Sequence, residues 1–129
     1  MPVMVTSERH LTPELQQGLV KLYDSSPEFS HGSDAIDKSE DVLAANGAVY
    51  VGWFNGKAVA AIMASHGADN RLLHNIVVHP ANRVRGIADR LMAETCRLER
   101  EKGATHFVAG CTAIARLLRI DAARLQKEK

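Results

Sequence analysis

Leu72 to Gly103, LLHNIVVHPANRVRGIADRLMAETCRLEREKG, reads as strand, loop and helix in one unbroken stretch. Leu72, Leu73, Ile76, Val77 and Val78 form a short apolar run rich in β-branched residues, and His79-Pro80 ends it. Behind Arg85-Gly86 an amphipathic pattern begins. Ile87, Leu91, Met92, Thr95 and Leu98 recur at helical spacing, which predicts a helix with Asp89, Arg90, Glu94, Glu99 and Arg100 on its outer face and Gly103 just past its end. Between strand and helix lies Arg83-Val84-Arg85-Gly86-Ile87-Ala88, an R-x-x-G-x-A pattern. The first N–H groups of a helix lack intrahelical partners and carry partial positive charge, so a helix start is a natural seat for phosphate. Gly86 lets the backbone come close, Ala88 keeps the next turn small, and Arg83 and Arg85 add charge that pairs with phosphate oxygens. The stretch predicts a pyrophosphate site.

Working outward, Pro2 to Thr6 is a short β-branched run read as a first strand. Thr12-Pro13-Glu14 opens a helix, with Thr12 as cap, and Leu15, Leu19, Leu22 and Tyr23 line one of its faces to about Tyr23. The polar stretch Ser25 to Gly32 breaks it. A second helix is expected from Asp34 to Asn46, with a sparse apolar face of Ile36, Val42 and Leu43 and a stop at Asn46-Gly47. Ala48 to Phe54 reads as a strand in which Val49, Val51 and Trp53 face one way and Tyr50 and Phe54 the other. Asn55-Gly56 is a two-residue hairpin turn, and Lys57 to Ser65 returns as the partner strand. Thr105 to Ala109 is a further short strand, joined through the long helix to the Leu72 strand and so expected parallel to it. A last helix runs from about Thr112 to Leu125 through Ile114, Leu117, Leu118, Ala122 and Leu125. The order β-α-α-β-β-β-α-β-α makes an α/β (α+β) domain with a mixed sheet.

Composition narrows the function classes. With 129 residues the chain is one domain, long enough for a real core, and 46% hydrophobic against 24% charged residues is a globular balance. A net charge of +1 gives no general attraction for nucleic acid or membrane, so any basic patch is local. Cys96 and Cys111 have no CxxC spacing, which argues for a reducing compartment and against a zinc site, and both read as small apolar fillers. The start MPVMVTSERH has no apolar core for a signal peptide, and nowhere do about 18 apolar residues run together. A cytoplasmic protein without a metal is expected.

The run I-V-V-H-P-A-N-R-V-R-G-I-A-D-R-L-M, from Ile76 to Met92, resembles the acyl-CoA-binding motif of the GCN5-related N-acetyltransferase (GNAT) superfamily, [Q/R]-x-x-G-x-[G/A] after a strand, matched by Arg83, Gly86 and Ala88. The element order agrees with that family's core over nearly the whole chain, without its closing C-terminal strand pair. The resemblance implies acetyl-CoA as acyl donor or ligand, with the pantetheine arm lying between the Leu72 and Thr105 strands like an added strand. Backbone groups of Ile76 and Val78 would bond that arm, the N–H of Val77 or Ile76 would face the acetyl carbonyl, and Arg83, Val84, Arg85, Gly86, Ile87 and Ala88 would hold the pyrophosphate. It also sets the loop with Phe29 and His31 against the acceptor site.

Acetyl transfer to an amine needs a base for its proton and often an acid for the departing thiolate. Candidate bases are His74 first, then His79, His66, His31 and Glu94; a histidine titrates near neutrality, which suits the role. The family's usual acid, a tyrosine in the last helix, has no counterpart here, where Leu118-Arg119-Ile120-Asp121-Ala122 stands and no tyrosine follows Tyr50. Two functions stay open: an N-acetyltransferase acting on an amine of a small molecule or protein, and a non-catalytic acetyl-CoA sensor. The second rests on a likeness of the segment L-x-K-L-Y-D-S-S-P and the missing late tyrosine to the family that matures and regulates aspartate decarboxylase. The Thr105 strand is expected at an open sheet edge, which favours a homodimer unless the last helix covers it.

Overall fold

The computed structural model describes residues 3–26, 31–83 and 86–127. Its elements are β1 (Met4–Glu8), α1 (Pro13–Asp24), α2 (Gly32–Ala44), β2 (Ala48–Phe54), β3 (Lys57–His66), β4 (Asn70–Val78), a 3-10 turn (Pro80–Asn82), α3 (Ile87–Glu101), β5 (His106–Ala109) and α4 (Thr112–Lys127). One five-stranded sheet in the order β1-β2-β3-β4-β5 runs through them, antiparallel up to β4 and parallel between β4 and β5.

Local chemistry sets the element ends. Thr12 Oγ1 accepts the N–H of Leu15 at 3.2 Å, and Pro13 fills the first turn of α1. Asn55 and Gly56 both take positive φ, 53° and 76°, as the tight hairpin demands. Helix α2 begins at Gly32, ahead of the expected Asp34, because the carboxylate of Asp24 accepts the N–H of Gly32 at 2.7 Å. At that point a Cβ would meet Val20 O at 2.5 Å, so the helix start lies directly on α1. It ends as predicted, with Asn46 left-handed at φ 65° and Gly47 N–H donating to Val42 O at 2.8 Å. Strand β1 covers Met4–Glu8 rather than Pro2 to Thr6, since its ladder to β2 pairs Met4 with Trp53 through to Glu8 with Val49.

The sheet separates two cores. On one face α1 and α2 bring Leu15, Leu19, Leu22, Tyr23, Ile36 and Val42 against Val49, Val51, Met63 and Val77. On the other, α3 and α4 bring Ile87, Leu91, Met92, Cys96 and Ile114 against Tyr50, Ile62, Leu73, Ile76 and Val78. A strand covered on both faces needs apolar residues at every position, which is why β2 and β3 are nearly continuous apolar runs. Each such side chain contributes about 1.5–3 kcal/mol on leaving water.

Two acidic residues correct the expected faces. Glu99 has no exposed surface and does not point outward. It accepts from Arg71 Nε at 2.7 Å and from the Tyr50 hydroxyl, and His66 Nε2 lies 2.7 Å from its Oε1. On α4 the inner position is taken by Asp121 rather than Ala122, with Arg124 at 2.9 Å and Arg100 at 3.6 Å.

Candidate acyl-donor site

Strands β4 and β5 pair only over part of their length. Asn70 faces His106, and the ladder closes with Leu73 opposite Ala109 and Gly110 N–H donating to Leu73 O at 2.8 Å. Strand β4 continues to Val78 while β5 ends at Ala109, so among the described residues the edge of β4 beyond Leu73 has no strand partner on that side. Along an extended strand the backbone groups alternate between the two edges. His79 N–H donates to Val59 O on β3 at 2.8 Å, so Val77 also turns toward β3, while Val78 and Ile76 present their N–H and C=O to the gap. The Val78 carbonyl accepts from Arg83 Nε at 3.1 Å, and the same guanidinium reaches Ser26 Oγ at 2.6 Å. Arg83 therefore ties the end of α1 to the end of β4.

At the end of that gap the chain passes through the 3-10 turn, where His79 Nδ1 accepts the N–H of Ala81 at 3.1 Å. Gly86 then stands left-handed at φ 69° as the N-cap of α3, with no side-chain cap and nothing within 4 Å of where a Cβ would be. The N–H groups of Ile87, Ala88 and Asp89 begin the helix and so have no intrahelical partners. The Ile87 side chain is buried in the core and Ala88 packs against it, so backbone rather than side chain is what the helix start offers. Val84 and Arg85, and Phe29 of the earlier loop, lie outside the described residues.

The middle of β4 holds a feature that the sequence reading missed. Between the pairs Ala61↔Val77 and Met63↔His74 the register slips by one residue on β4, and Asn75 takes φ 53°. This is a β-bulge. An asparagine inside a β-branched run was the available signal, since Asn tolerates the left-handed region better than other side chains. His74, beside it, is buried; its Nδ1 lies 2.6 Å from Asn75 Oδ1 and its Nε2 2.7 Å from Ser65 Oγ. Burial holds its pKa below the usual histidine value, with the Asn75 hydrogen bond opposing and the Lys38 charge adding to the shift. Tyr23, on α1, donates to the Asn75 carbonyl, and burial pushes its pKa far up, so it stays a donor.

The other candidate bases have different settings. His66 belongs to the Glu99 cluster at the opposite end of β4, His79 caps the 3-10 turn, and exposed His31 is the N-cap of α2. Glu94 is engaged by Arg97 at 2.8 Å. Among the described residues no group of three or more His, Cys, Asp or Glu could hold a metal ion, and no helix is long and apolar enough to cross a membrane.

The mixed sheet splays at β4 and is followed by a glycine-led helix without a side-chain cap, the layout expected of an acyl-CoA-binding fold. The acetyltransferase (GNAT) family model matches residues 15–117, and the chain belongs to that family. No curated protein matches the sequence. Among solved structures it is similar to the aminoglycoside acetyltransferase AAC(6')-Iy in complex with a CoA-S-monomethyl-acetylneamine bisubstrate analogue, at 19% identity over 92% of this chain and 87% of that one, with a TM-score of 0.67. A GNAT-family protein from Desulfovibrio desulfuricans matches at 18% identity, 91% and 81% coverage and a TM-score of 0.67. The aminoglycoside acetyltransferase meta-AAC0020 from an uncultured soil metagenomic sample, in complex with sisomicin, matches at 17% identity, 97% and 87% coverage and a TM-score of 0.65.

Proposed function

We propose that this chain, as a single acyl-CoA-binding domain over residues 1–129, is an acetyl-CoA-dependent N-acetyltransferase acting on an amine of a small molecule or protein. The observation that carries the reading is the open edge of β4 at Ile76 and Val78, running up to the uncapped start of α3 at Gly86. Bound there, acetyl-CoA supplies an activated acetyl thioester. The chain's part is to hold and orient it: Ile76 and Val78 through backbone groups, and the N–H groups of Gly86, Ile87 and Ala88 through the pyrophosphate, within the loop of Arg83, Val84 and Arg85. Arg83 already occupies the Val78 carbonyl, which leaves the Val78 N–H for the arm. The Ile76 N–H is the donor offered to the acyl oxygen, and a positioned backbone donor of this kind is worth about 3 kcal/mol in acyl transfer. The aminoglycoside acetyltransferases among the similar structures support an amine as acceptor.

The second reading, a non-catalytic acetyl-CoA sensor of the aspartate decarboxylase maturation type, is favoured by one observation. Both nitrogens of His74, the first candidate base, are engaged by neighbours. Either reading fits a cytoplasmic protein with free Cys96 and Cys111. Both also allow a homodimer through β5, which lies at the end of the sheet with Val108 49% exposed.

Calorimetric titration with acetyl-CoA and with free CoA, repeated on Arg83→Ala combined with Gly86→Trp, tests the site, and thiol release with a panel of amines tests turnover. Binding lost in the double variant together with amine-dependent release supports the transferase. Binding without release favours the sensor, and no binding removes both.

A further inference from the structure

The bulge in β4 decides which backbone groups reach the gap. Leu73 faces it, since its carbonyl accepts from Gly110. Unbroken alternation from Leu73 would turn Asn75 and Val77 toward the gap and Ile76 and Val78 toward β3. The extra residue at Asn75 reverses that phase, so Ile76 and Val78 face the gap instead. It also sends the side chains of both Leu73 and Ile76 into the same core.

A non-glycine residue at φ 53° in the middle of a buried strand persists only where its surroundings over-determine it. Three ties do so here. The hydroxyl of Tyr23, a residue 1% exposed on α1, donates to the Asn75 carbonyl at 2.5 Å. Asn75 Oδ1 is 2.6 Å from His74 Nδ1, which places the imidazole proton on Nδ1. The lone pair of Nε2 is then the acceptor for Ser65 Oγ at 2.7 Å, from the neighbouring strand. The chain of bonds from Ser65 through His74 to Asn75 and Tyr23 links β3, β4 and α1 at one point.

We propose that Tyr23, His74 and Ser65 are positioning residues that pin the Asn75 bulge and so hold the Ile76 N–H toward the acyl oxygen of the donor. His74 is thereby part of the frame rather than the base that takes the amine proton. The inference rests on the acyl-transfer reading, and it adds to it the residues that set the geometry of the donor site.

The test compares the whole protein with Tyr23→Phe and Ser65→Ala, measuring steady-state acetyl transfer, calorimetric CoA affinity, and the backbone amide resonances of Ile76 and Val77 with acetyl-CoA and with CoA. Tyr23→Phe keeps the ring and deletes one hydrogen bond, so kcat is expected to fall about tenfold while KM for acetyl-CoA stays within about twofold. Ser65→Ala, at the outer end of the chain and partly exposed, should fall less and be restored by Ser65→Thr. It carries the test if Tyr23→Phe does not fold. An unchanged kcat, or a loss of kcat matched by an equal loss of CoA affinity, overturns the proposal. In the wild type the Ile76 amide is expected to shift with acetyl-CoA beyond its response to CoA, and in Tyr23→Phe to lose that difference. Should the wild type show the acetyl-specific shift, Tyr23→Phe lose it, and no amine be turned over, the transferase reading fails and the pinning stands. Turnover without the shift overturns the pinning alone, and neither overturns both.

Discussion

Glu99 shows how much a single residue can depend on partners remote in sequence. Its side chain has no exposed surface, and the groups around it come from β2, β3, β4 and the end of its own helix: Tyr50, His66, Arg71 and Lys102. Burial alone would raise its pKa, but the hydrogen bonds from Tyr50 and Arg71, with the charges of His66 and Lys102, outweigh it and hold the carboxyl below its ordinary value. Glu99→Ala leaves Arg71, 4% exposed, without its counter-charge, and removing one partner of a buried pair costs about 3–5 kcal/mol. Urea unfolding should show that loss and a smaller one for Glu99→Gln; a change under about 1 kcal/mol for the alanine variant would show that the pair is not sustained in solution. At Gly86 the constraint is the backbone. A Cβ would meet nothing within 4 Å, but φ 69° is left-handed. Gly86→Ala is therefore expected to cost about 1–2 kcal/mol, and Gly86→Asn clearly less, because asparagine tolerates that region. Equal losses in the two unfolding curves would mean that steric crowding, not φ, selects the glycine.

At the scale of the element, α3 was the most legible part of the chain. Its apolar period put Ile87, Leu91, Met92, Thr95 and Leu98 inside; the first four are buried and Leu98 is half-buried against the same core. Glu99 continues the same period, four residues after Thr95, and so falls on the buried face by geometry; its charge is what led the sequence reading to place it outside. Leu91→Ala, at a site with no exposed surface, should cost about 2–5 kcal/mol in chemical denaturation. Arg97→Ala, on the exposed face and paired with Glu94 and Glu101, should change stability by less than about 1 kcal/mol. Comparable losses from both would contradict the assigned faces. Strand β4 was legible as a strand but not as a bulged one. Its one mark in the sequence is Asn75, because a run with apolar residues on both faces has no alternation for a one-residue insertion to interrupt.

For the molecule as a whole, three groups couple folding to protons in the same direction. Burial holds His66 and His74 below the ordinary 6.5, at His66 against the pull of Glu99, and Glu99 is held below 4.5 by its partners. In each case the unfolded chain binds the proton more readily. Their stability contribution is thus present above the unfolded values and lost as pH falls through the folded ones, first below 6.5 for the histidines and then below 4.5 for Glu99. The urea midpoint is expected to drop between about pH 7.5 and pH 5, with the drop reduced in His66→Gln combined with His74→Gln. A midpoint independent of pH in that range would reject the assignment.

The element order, the Thr12 cap, the Asn55-Gly56 turn, the left-handed stop after α2 and the glycine at the start of α3 were fixed by residues within a few positions of one another. Such features depend on local dihedral preferences and local hydrogen bonds, which a sequence displays directly. Where β5 leaves β4, which N–H groups face the gap, that Arg83 reaches Ser26, and that Tyr23 reaches Asn75 were decided by tertiary packing alone. Each of those depends on which distant segment supplies the partner for a buried polar group. That pairing exists only once the two cores have closed on the sheet.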